Sequence, residues 1–417
     1  MIEKIKIAIY KLLKKSEKWT KTDMVYLAEG GFWLTLGQGV SSVSAFLLAI
    51  AFANLLPKET YGTYKYIMSI VSLLAIPTLT GMNTAIIQAV ARGYEGSLIS
   101  ALKTKIKWGL LGGLLGLSLA LYYYLQNNDT LAIAFLIVSV FIPFMDSILI
   151  YESYLNGKKN FKTLGRYTVF IRIISAITMV VTIFFTKNIY LIVSSYLLSN
   201  TLLRLILLKI TLSKNKLNEK KDPNTISYGK HLSLMSILNI FSIYLDKLLI
   251  FHYLGASELA IYSIAIAPVE QMKGLIKNIN ALALPKFSAT STENLKTNLK
   301  PKILKMTLIL AIMSFCYILI APFAYRVFFP QYLESIFYSQ LFSLSLVLIG
   351  PIMLLISAFQ AKEKKMTLYQ YNIIKPIIRI ILLFVLINYF GITGIIFAIL
   401  LSYVFELIFL SNKKISK

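Results

Sequence analysis

The sequence predicts an all-α polytopic membrane protein with twelve transmembrane helices, arranged as two parallel six-helix bundles related by a pseudo-two-fold axis along the membrane normal. Two observations exclude a soluble protein: 57% of the 417 residues are hydrophobic and only 15% are charged, with a mean hydropathy of +0.71. Soluble domains carry about 25% charged residues. A transmembrane β-barrel would show alternating segments of about ten residues, whereas the apolar runs here are about twice as long and do not alternate.

The chain starts with a basic amphipathic segment, residues 1–28, in which seven lysines are interleaved with isoleucine and leucine. This segment lacks the continuous apolar core and the small-residue cleavage site of a secretory signal, so we expect it to lie on the cytoplasmic membrane surface. Twelve apolar segments follow, each long enough to cross a hydrocarbon core about 30 Å thick. In chain order they are residues 31–55, 61–91, 106–126, 130–155, 165–186, 189–210, 230–254, 259–284, 303–326, 336–361, 368–389 and 391–411.

The loops between these segments alternate in charge, which supports both their number and their orientation. Cytoplasmic loops of membrane proteins carry the excess of lysine and arginine. Of the 43 basic residues here, the predicted outer side holds only Lys58, Lys65, Lys187, Lys247 and Arg326. The sequence therefore predicts a multi-pass protein of the inner membrane with both termini in the cytoplasm. The net charge of +25 then reflects orientation and affinity for anionic lipid headgroups rather than nucleic-acid binding.

The longest inner loop, residues 211–229, separates two halves that resemble each other. Residues 170–174 (FIRII) align with 377–381 (IIRII), and at the same offset Ser195-Tyr196 aligns with Ser402-Tyr403. Six spans per half insert both halves in the same orientation, which is a plan of transporters with parallel repeats. The predicted domains are a basic N-terminus at 1–28, a bundle at 29–210, a linker at 211–229, a bundle at 230–411 and a tail at 412–417.

Residue types exclude several kinds of chemistry. Cys316 is the only cysteine, and His231 and His252 are the only histidines. These counts leave no disulfide framework, no CxxC site and no histidine-rich metal site. The sequence also has no phosphate-binding GxxxxGK[ST] loop, no HExxH and no GxSxG. We therefore expect no cofactor and no metal.

Five stretches together carry a family resemblance. They are FANLLPKETYGTYKYIMSIVSLL (52–74), GMNTAIIQAVARG (81–93), SYLNGKKNFKTLGRY (153–167), SIYLDKLLIFHYLGASELAIYSIA (242–265) and GITGIIFAILLSYVFELI (391–408). With them the chain resembles the oligosaccharide and polysaccharide flippases (O-antigen, or Wzx-type) of the multidrug/oligosaccharidyl-lipid/polysaccharide exporter superfamily. The Tyr-Gly-x-Tyr turn at 61–64 is the most specific of these features.

The resemblance implies a non-enzymatic function. The expected substrate is an undecaprenyl-pyrophosphate-linked oligosaccharide, such as an O-antigen unit for lipopolysaccharide, flipped between leaflets by ion-coupled alternating access. The implied partners are this lipid-linked oligosaccharide and membrane lipids, with a polysaccharide polymerase and a chain-length regulator as further candidates. Gln88 departs from the family, whose members often carry a cation at the inner end of the second helix.

Charged side chains inside membrane spans cost about 2.5–3.5 kcal/mol each and therefore mark functional candidates. Arg172 and Arg379 are equivalent in the repeat and would offer two guanidinium groups for bidentate binding of pyrophosphate. Lys375 lies one turn before Arg379 on the same helix face. The alternative is that these long side chains reach out to cytoplasmic headgroups. The other candidates for a pyrophosphate and sugar cavity are Lys273, Lys277, Gln88 and Asn83.

Four acidic residues are candidates for ion coupling. Glu270 shares a helix face with Lys273 in the eighth span, and Asp146 follows Pro143 in the fourth, where a proline can bend the helix. Asp246 and Glu406 lie in the seventh and twelfth spans. For each acid, a structural ion pair or hydrogen bond is the alternative interpretation.

Two other functions compete with the flippase. The first is a multidrug or small-solute exporter of the same superfamily, although basic candidate residues do not suit cationic drugs. The second is a membrane enzyme, such as a polysaccharide polymerase, ligase or lipid-linked glycosyltransferase. Such enzymes usually carry a sizeable external loop, whereas the outer loops here, such as 187–188 and 327–335, are short.

Overall fold

The computed structural model describes residues 24–413, which fold into helices joined by short turns. The predicted segments 1–28 and 412–417 therefore lie largely outside the described residues. We number the helices α1 to α12 after the predicted spans. Their bounds are Met24–Leu55 (α1), Lys58–Thr78 and Met82–Ala91 (the two limbs of α2), Ser97–Leu125 (α3), Asp129–Gly157 (α4), Phe161–Phe185 (α5), Ile189–Lys214 (α6), Thr225–Tyr253 (α7), Ala256–Ala289 (α8), Thr292–Phe328 (α9), Ser335–Ala361 (α10) and Lys365–Ser411 (α11 and α12).

The number of membrane-crossing helices in the described chain agrees with the prediction once two bent elements are taken into account. Nine helices are long and apolar enough to cross a membrane, or ten when the two limbs of α2 count as one bent span. Lys365–Ser411 has 47 residues and is two helices, because Gly391 breaks it with φ 55° and ψ −131°. A straight helix of that length would extend about 70 Å, more than twice the hydrocarbon thickness. Dividing this element at Gly391 adds one span to the ten, and α8 adds another, so the described residues form twelve spans. The predicted fold class is confirmed.

The helices pack as two groups of six. In the N-terminal half, α3 packs on α4, α1 on α5, and both α4 and α5 on α6. In the C-terminal half, α8 and α9 pack on α10, while α7 and α10 pack on the α11–α12 hairpin. The two halves meet mainly where α1 and α2 contact α7 and α8.

At the predicted outer end, the halves are held together by a set of contacts that we call the outer seal. Gly62 of α2 lies directly against the backbone of Ala256, so closely that a Cβ atom on Gly62 would overlap it. Lys58 forms an ion pair with Glu334, and Tyr66 stacks on Phe251 with ring centroids 3.8 Å apart. These six residues define the outer seal. Gly62 and its flanking tyrosines thus explain the Tyr-Gly-x-Tyr turn: the glycine permits the contact, and Tyr61 and Tyr64 are buried beside it.

Two helices of the N-terminal half are broken at the same depth. The limbs of α2 meet at an angle of 50°, and Leu79 between them has a positive φ of 61°. In α4, Pro143 precedes a single 3₁₀ turn at Ser147–Leu149. The glycine face of α3 packs against both breaks, since Gly109 faces Pro143 and Gly112 faces the carbonyl group of Leu74. Small residues allow this close helix approach in membranes.

This packing makes a testable prediction for Gly112. A Cβ at this position would overlap the Leu74 carbonyl oxygen and lie 2.8 Å from a methyl carbon of Ile142. We expect Gly112→Leu to reduce stability by about 1–3 kcal/mol, the usual cost of overpacking, seen as a lower thermal midpoint in detergent. Gly39→Leu is the matched control, because nothing lies within 4 Å of its added Cβ. Equal midpoints for the two variants would contradict the packing assignment.

Candidate functional site

A polar cavity of about 480 Å³ lies among the helices of the C-terminal half. Its wall is built by α7, α8, α10, α11 and α12, and one side chain of the N-terminal half enters it from α2. The cavity is unusual for a membrane interior because seven charged residues line it. They are Lys65, Asp246, Lys247, Glu270, Lys375, Arg379 and Glu406.

Arg379 on α11 is the central cation of this cavity. Its side chain is 8% exposed, and its Nε–H has no hydrogen-bond partner. Asp246 and Glu406 lie close enough to attract it electrostatically, but no ion pair of Arg379 is found among the side chains that the structure describes. A buried guanidinium group without an ion-pair partner is costly, and this makes Arg379 the first candidate for contact with a ligand in the cavity.

Each of the two buried carboxylates near Arg379 contacts one tyrosine hydroxyl and one lysine ammonium group. Asp246 accepts hydrogen bonds from the Tyr262 hydroxyl at 2.6 Å and from Lys247 Nζ at 3.2 Å. The lysine of each set compensates the buried carboxylate with an ion pair, and neither carboxylate forms an ion pair with Arg379.

The second carboxylate has the same type of surroundings. Glu406 accepts a hydrogen bond from the Tyr371 hydroxyl at 2.8 Å and pairs with Lys375 Nζ at 3.4 Å. Its other oxygen, Oε1, is buried and makes no hydrogen bond. The sequence prediction placed Lys375 and Arg379 on one face of α11, and the structure places both at this cavity. Lys375 forms an ion pair with Glu406, whereas Arg379 forms none among the described side chains.

Lys65 supplies a second cation without a paired acid. It belongs to α2, one helical turn beyond Tyr61, and its Nζ lies 5.2 Å from the centre of the Tyr61 ring. No carboxylate among the described residues lies within ion-pair distance of its Nζ. Sequence reasoning placed Lys65 with the few outer basic residues and missed its role in the cavity. The only available signal was that a lysine interrupts an otherwise apolar and aromatic helix.

On α8, Glu270 and Lys273 form the pair that their spacing predicts, with Nζ and Oε1 2.9 Å apart. Glu270 is 46% exposed and lines the cavity, whereas Lys273 is 3% exposed. Lys273 Nζ also lies 3.9 Å from the centre of the Phe342 ring, a cation–π contact. Lys277 falls in the part of α8 whose side chains are not described.

The N-terminal half holds a separate buried cluster. Lys105 of α3 is fully buried, pairs with Asp146 at 3.1 Å and donates a hydrogen bond to the Asn83 side-chain oxygen at 2.8 Å. The Thr78 hydroxyl oxygen lies 2.6 Å from the same carboxylate and 2.6 Å from the Ala75 carbonyl oxygen, so two acceptors share its one hydrogen. Asp146 and Asn83, predicted as an ion-coupling and a sugar-binding residue, thus lie together away from the C-terminal cavity. Sequence reasoning missed Lys105 because it counted this residue with the basic residues of the predicted inner side, as a signal of orientation only.

Arg172 and Gln88 lie outside the cavity. Both side chains are exposed, and Arg172 lies close to Glu152 of its own half. The repeat makes Arg172 and Arg379 equivalent in sequence, but the structure gives them different surroundings and does not bring them to one site.

Fold and cavity together define a class: a polytopic membrane protein of two six-helix bundles with a charged internal cavity, which is the architecture of a membrane transporter. The chain belongs to the polysaccharide biosynthesis protein family, whose model matches residues 27–291. The resemblance to polysaccharide flippases of the exporter superfamily is thereby confirmed. Among curated protein sequences, none matches this chain significantly.

Solved structures share the fold over nearly the whole chain. The lipid II flippase MurJ in an inward closed conformation is 16% identical, with a TM-score of 0.70 over 90% of this chain and 86% of MurJ. An inward-facing multidrug resistance MATE family transporter of the MOP superfamily is 14% identical, with a TM-score of 0.62 over 92% of this chain and 97% of that one. A MOP superfamily transporter from Pyrococcus furiosus, described as having a binding pocket of reverse polarity, is 13% identical, with a TM-score of 0.61 over 93% and 94% of the two chains.

Proposed function

We propose that this protein is a flippase that carries a lipid-linked oligosaccharide with a pyrophosphate group across the cytoplasmic membrane. The observation that carries the proposal is the charge pattern of the cavity. Three lysines near it are paired with carboxylates, whereas Arg379 and Lys65 face it without a paired acid. A cavity with two uncompensated cations selects an anionic ligand.

The chemistry of the two cations suits a pyrophosphate. A guanidinium group binds phosphate oxygens through two parallel hydrogen bonds, and its charge is permanent. An ammonium group acts as a point charge and can approach from any direction. Arg379 belongs to the C-terminal half and Lys65 to the N-terminal half, so one diphosphate held by both cations would connect the two bundles. Such a contact across the halves is what alternating access requires of a ligand.

The rest of the cavity offers groups for a sugar. Glu270 is partly exposed toward it, and Asn239 and Gln271 add an amide each. Tyr262 and Tyr403 contribute aromatic faces and hydroxyl groups. The polyprenyl tail would remain in the bilayer. Family membership supports a role in surface polysaccharide synthesis, and we propose an O-antigen or similar repeat unit as cargo, passed to a polymerase and a chain-length regulator.

The proposed location is the cytoplasmic membrane with both termini inside. This orientation follows from the excess of lysine and arginine on one set of loops. The basic turns at 92–96, 158–160 and 362–364 would then lie at the cytoplasmic surface, and the outer seal would lie at the opposite surface.

The decisive experiment compares cargo that differs only in the linkage group. The full-length protein would be reconstituted in liposomes with fluorescent polyprenyl saccharides linked through pyrophosphate, monophosphate or a neutral ether. We expect the pyrophosphate lipid to flip fastest and the neutral lipid to remain at the rate of protein-free liposomes. Equal rates for all three lipids would refute the role of the cations. Export of a soluble anion without any lipid flipping would favour the small-solute exporter.

Lys65→Gln tests the contribution of the N-terminal half. Removing one charged hydrogen bond to phosphate should weaken the apparent affinity for the pyrophosphate lipid by roughly tenfold, from about 1.5 kcal/mol of lost interaction. The flipping rate as a function of probe density in the liposome membrane provides the measurement. Lys187→Gln is the control, because Lys187 is an exposed outer-loop lysine. A loss of equal size in both variants would indicate a general surface-charge effect.

A further inference from the structure

A groove on the outside of the N-terminal half runs between α1 and α5. It holds about 690 Å³, and its walls are apolar apart from Ser44. Val43 and Ile177 in these walls are each more than half exposed, so the groove opens toward the bilayer. Its α1 wall extends from Leu36 to Leu48, which is about 18 Å at 1.5 Å per residue. One leaflet of the hydrocarbon core is about 15 Å deep, so the groove has the length of one acyl chain in one leaflet.

The end of the groove on the predicted cytoplasmic side carries a cation that is stacked on an indole ring. There the groove continues into a smaller hollow that is lined by Trp33 of α1 and Arg166 of α5. The guanidinium carbon of Arg166 lies 5.1 Å from the centre of the Trp33 ring, a cation–π contact. A Cβ atom on Gly165 would lie only 2.6 Å from the Trp33 carbonyl oxygen. This close backbone approach holds the Trp33 ring beside α5.

Arg166 can bind a phosphate group from this position. Its side chain is exposed, and no carboxylate among the described side chains forms an ion pair with it. Because the Trp33 ring covers one face of the guanidinium group, the N–H groups at its edge remain accessible to an anion. That edge matches two oxygens of one phosphate group. Lys162, which is also exposed, precedes Arg166 by one helical turn on the same face of α5 and adds positive charge.

The orientation of the chain alone does not account for Arg166. The positive-inside rule acts on both halves alike. At the repeat offset of 207 residues, which aligns residues 170–174 with 377–381, the residue equivalent to Arg166 is Ile373. The cation at this position is therefore a feature of the N-terminal half, where it lies at the end of an apolar groove.

We propose that this groove binds one anionic phospholipid of the inner leaflet, with its phosphate group on Arg166 and one acyl chain between α1 and α5. Apolar contact cannot select this lipid, because the chains of the bilayer are as apolar as the groove. The selection comes from charge: Arg166 and Lys162 attract a headgroup of net negative charge and repel the ammonium group of a zwitterionic one. The site shares no lining residue with the charged cavity. It is a second ligand site, independent of the proposed function.

Tryptophan fluorescence tests the site directly, because the chain has only three tryptophans. Trp19→Phe and Trp108→Phe leave Trp33 as the single reporter in the full-length protein, reconstituted in nanodiscs of phosphatidylcholine. Phosphatidylglycerol and phosphatidylethanolamine would each carry a nitroxide near the head of one acyl chain, which quenches a neighbouring indole ring. We expect phosphatidylglycerol to bind beside Trp33 about tenfold more tightly than phosphatidylethanolamine, a preference typical of one charged hydrogen bond to phosphate.

Two variants of this reporter protein decide the outcome. Arg166→Gln should bind both lipids equally, whereas Lys209→Gln, which changes an exposed lysine of α6, should keep the tenfold preference. Equal quenching by the two lipids in the reporter protein would overturn the proposal, and so would an undiminished preference in Arg166→Gln.

A competition experiment identifies the source of the bound lipid. Unlabelled phosphatidylglycerol should relieve the quenching at a lower mole fraction than unlabelled polyprenyl phosphate does. The reverse order would assign the groove to the tail of a polyprenyl lipid and refute the phospholipid site. No step of these measurements involves transport, so their result is independent of whether the protein flips a lipid-linked oligosaccharide.

Discussion

Arg379→Gln is expected to reduce flipping of a pyrophosphate-linked lipid by about 100-fold, the equivalent of a bidentate charged contact worth about 3 kcal/mol. The buried guanidinium group has no ion pair within the described chain, so the variant removes a ligand contact and leaves no acid unpaired. This distinguishes it from Lys375→Gln, which would leave the buried Glu406 carboxylate with only Tyr371 as a partner. Liposome flipping at matched protein density is the measurement.

Three further variants test whether the loss of flipping is specific to the guanidinium group of Arg379. Arg379→Lys keeps the charge but loses the fork geometry, and we expect an intermediate rate. Arg326→Gln, an exposed arginine at the predicted outer end, should leave the rate unchanged. Arg172→Gln tests the prediction from the repeat that Arg172 and Arg379 are equivalent. A loss of flipping rate equal to that of Arg379→Gln would support one shared role. A small loss would agree with their different surroundings. Normal flipping by Arg379→Gln would contradict the proposal that the cavity binds pyrophosphate.

Gly62→Val is expected to prevent closure of the outer seal. The first carbon of any side chain at this position overlaps the backbone of Ala256, which cannot yield as a flexible side chain would. Overlap costs of about 1–3 kcal/mol correspond to a shift of roughly tenfold in the population of closed molecules. We expect normal abundance, slow flipping, and loss of the disulfide that forms between Lys58→Cys and Glu334→Cys in a Cys316→Ser background.

The control for this variant is Gly39→Val. Gly39 also lies in a helix of the N-terminal half, but its added Cβ meets nothing within 4 Å. The cross-link should form in the control as in the parent. If it also forms fully in Gly62→Val, the contact between Gly62 and Ala256 does not limit closure, and the seal depends on the aromatic and ionic contacts instead.

Hydropathy and charge alternation predicted the twelve spans because the bilayer imposes a length on each helix and the positive-inside rule orients it. Even the break at Gly391, hidden inside one continuous 47-residue helix, follows from that length limit. The Tyr-Gly-x-Tyr turn was recognised only as a family feature, and its physical basis, the approach of Gly62 to Ala256, required the packing of two distant segments.

The surroundings of the charged residues could not be predicted to the same degree. Helices that are apolar on all sides have little amphipathic signal, so their rotation is set by neighbours rather than by their own sequence. For this reason Lys65 and Lys105 were missed, and Arg172 and Arg379 were treated as equivalent. The pairing of Glu270 with Lys273 was accessible, because a spacing of three residues fixes a shared face whatever the rotation of the helix.

The location of Lys65 on the same helix segment as Gly62 and Tyr66 ties cargo affinity to the geometry of the outer end. A diphosphate that touches Lys65 only while the outer seal is closed must stabilise the closed state by the same factor by which closure tightens binding, because linkage is reciprocal. Opening the outer seal then moves Lys65 away from the diphosphate, so that only Arg379 still contacts it. The affinity for cargo therefore falls on the side where the cargo has to leave. Release would need no dedicated trigger, and high cargo density in the outer leaflet would itself favour reclosure and slow the cycle.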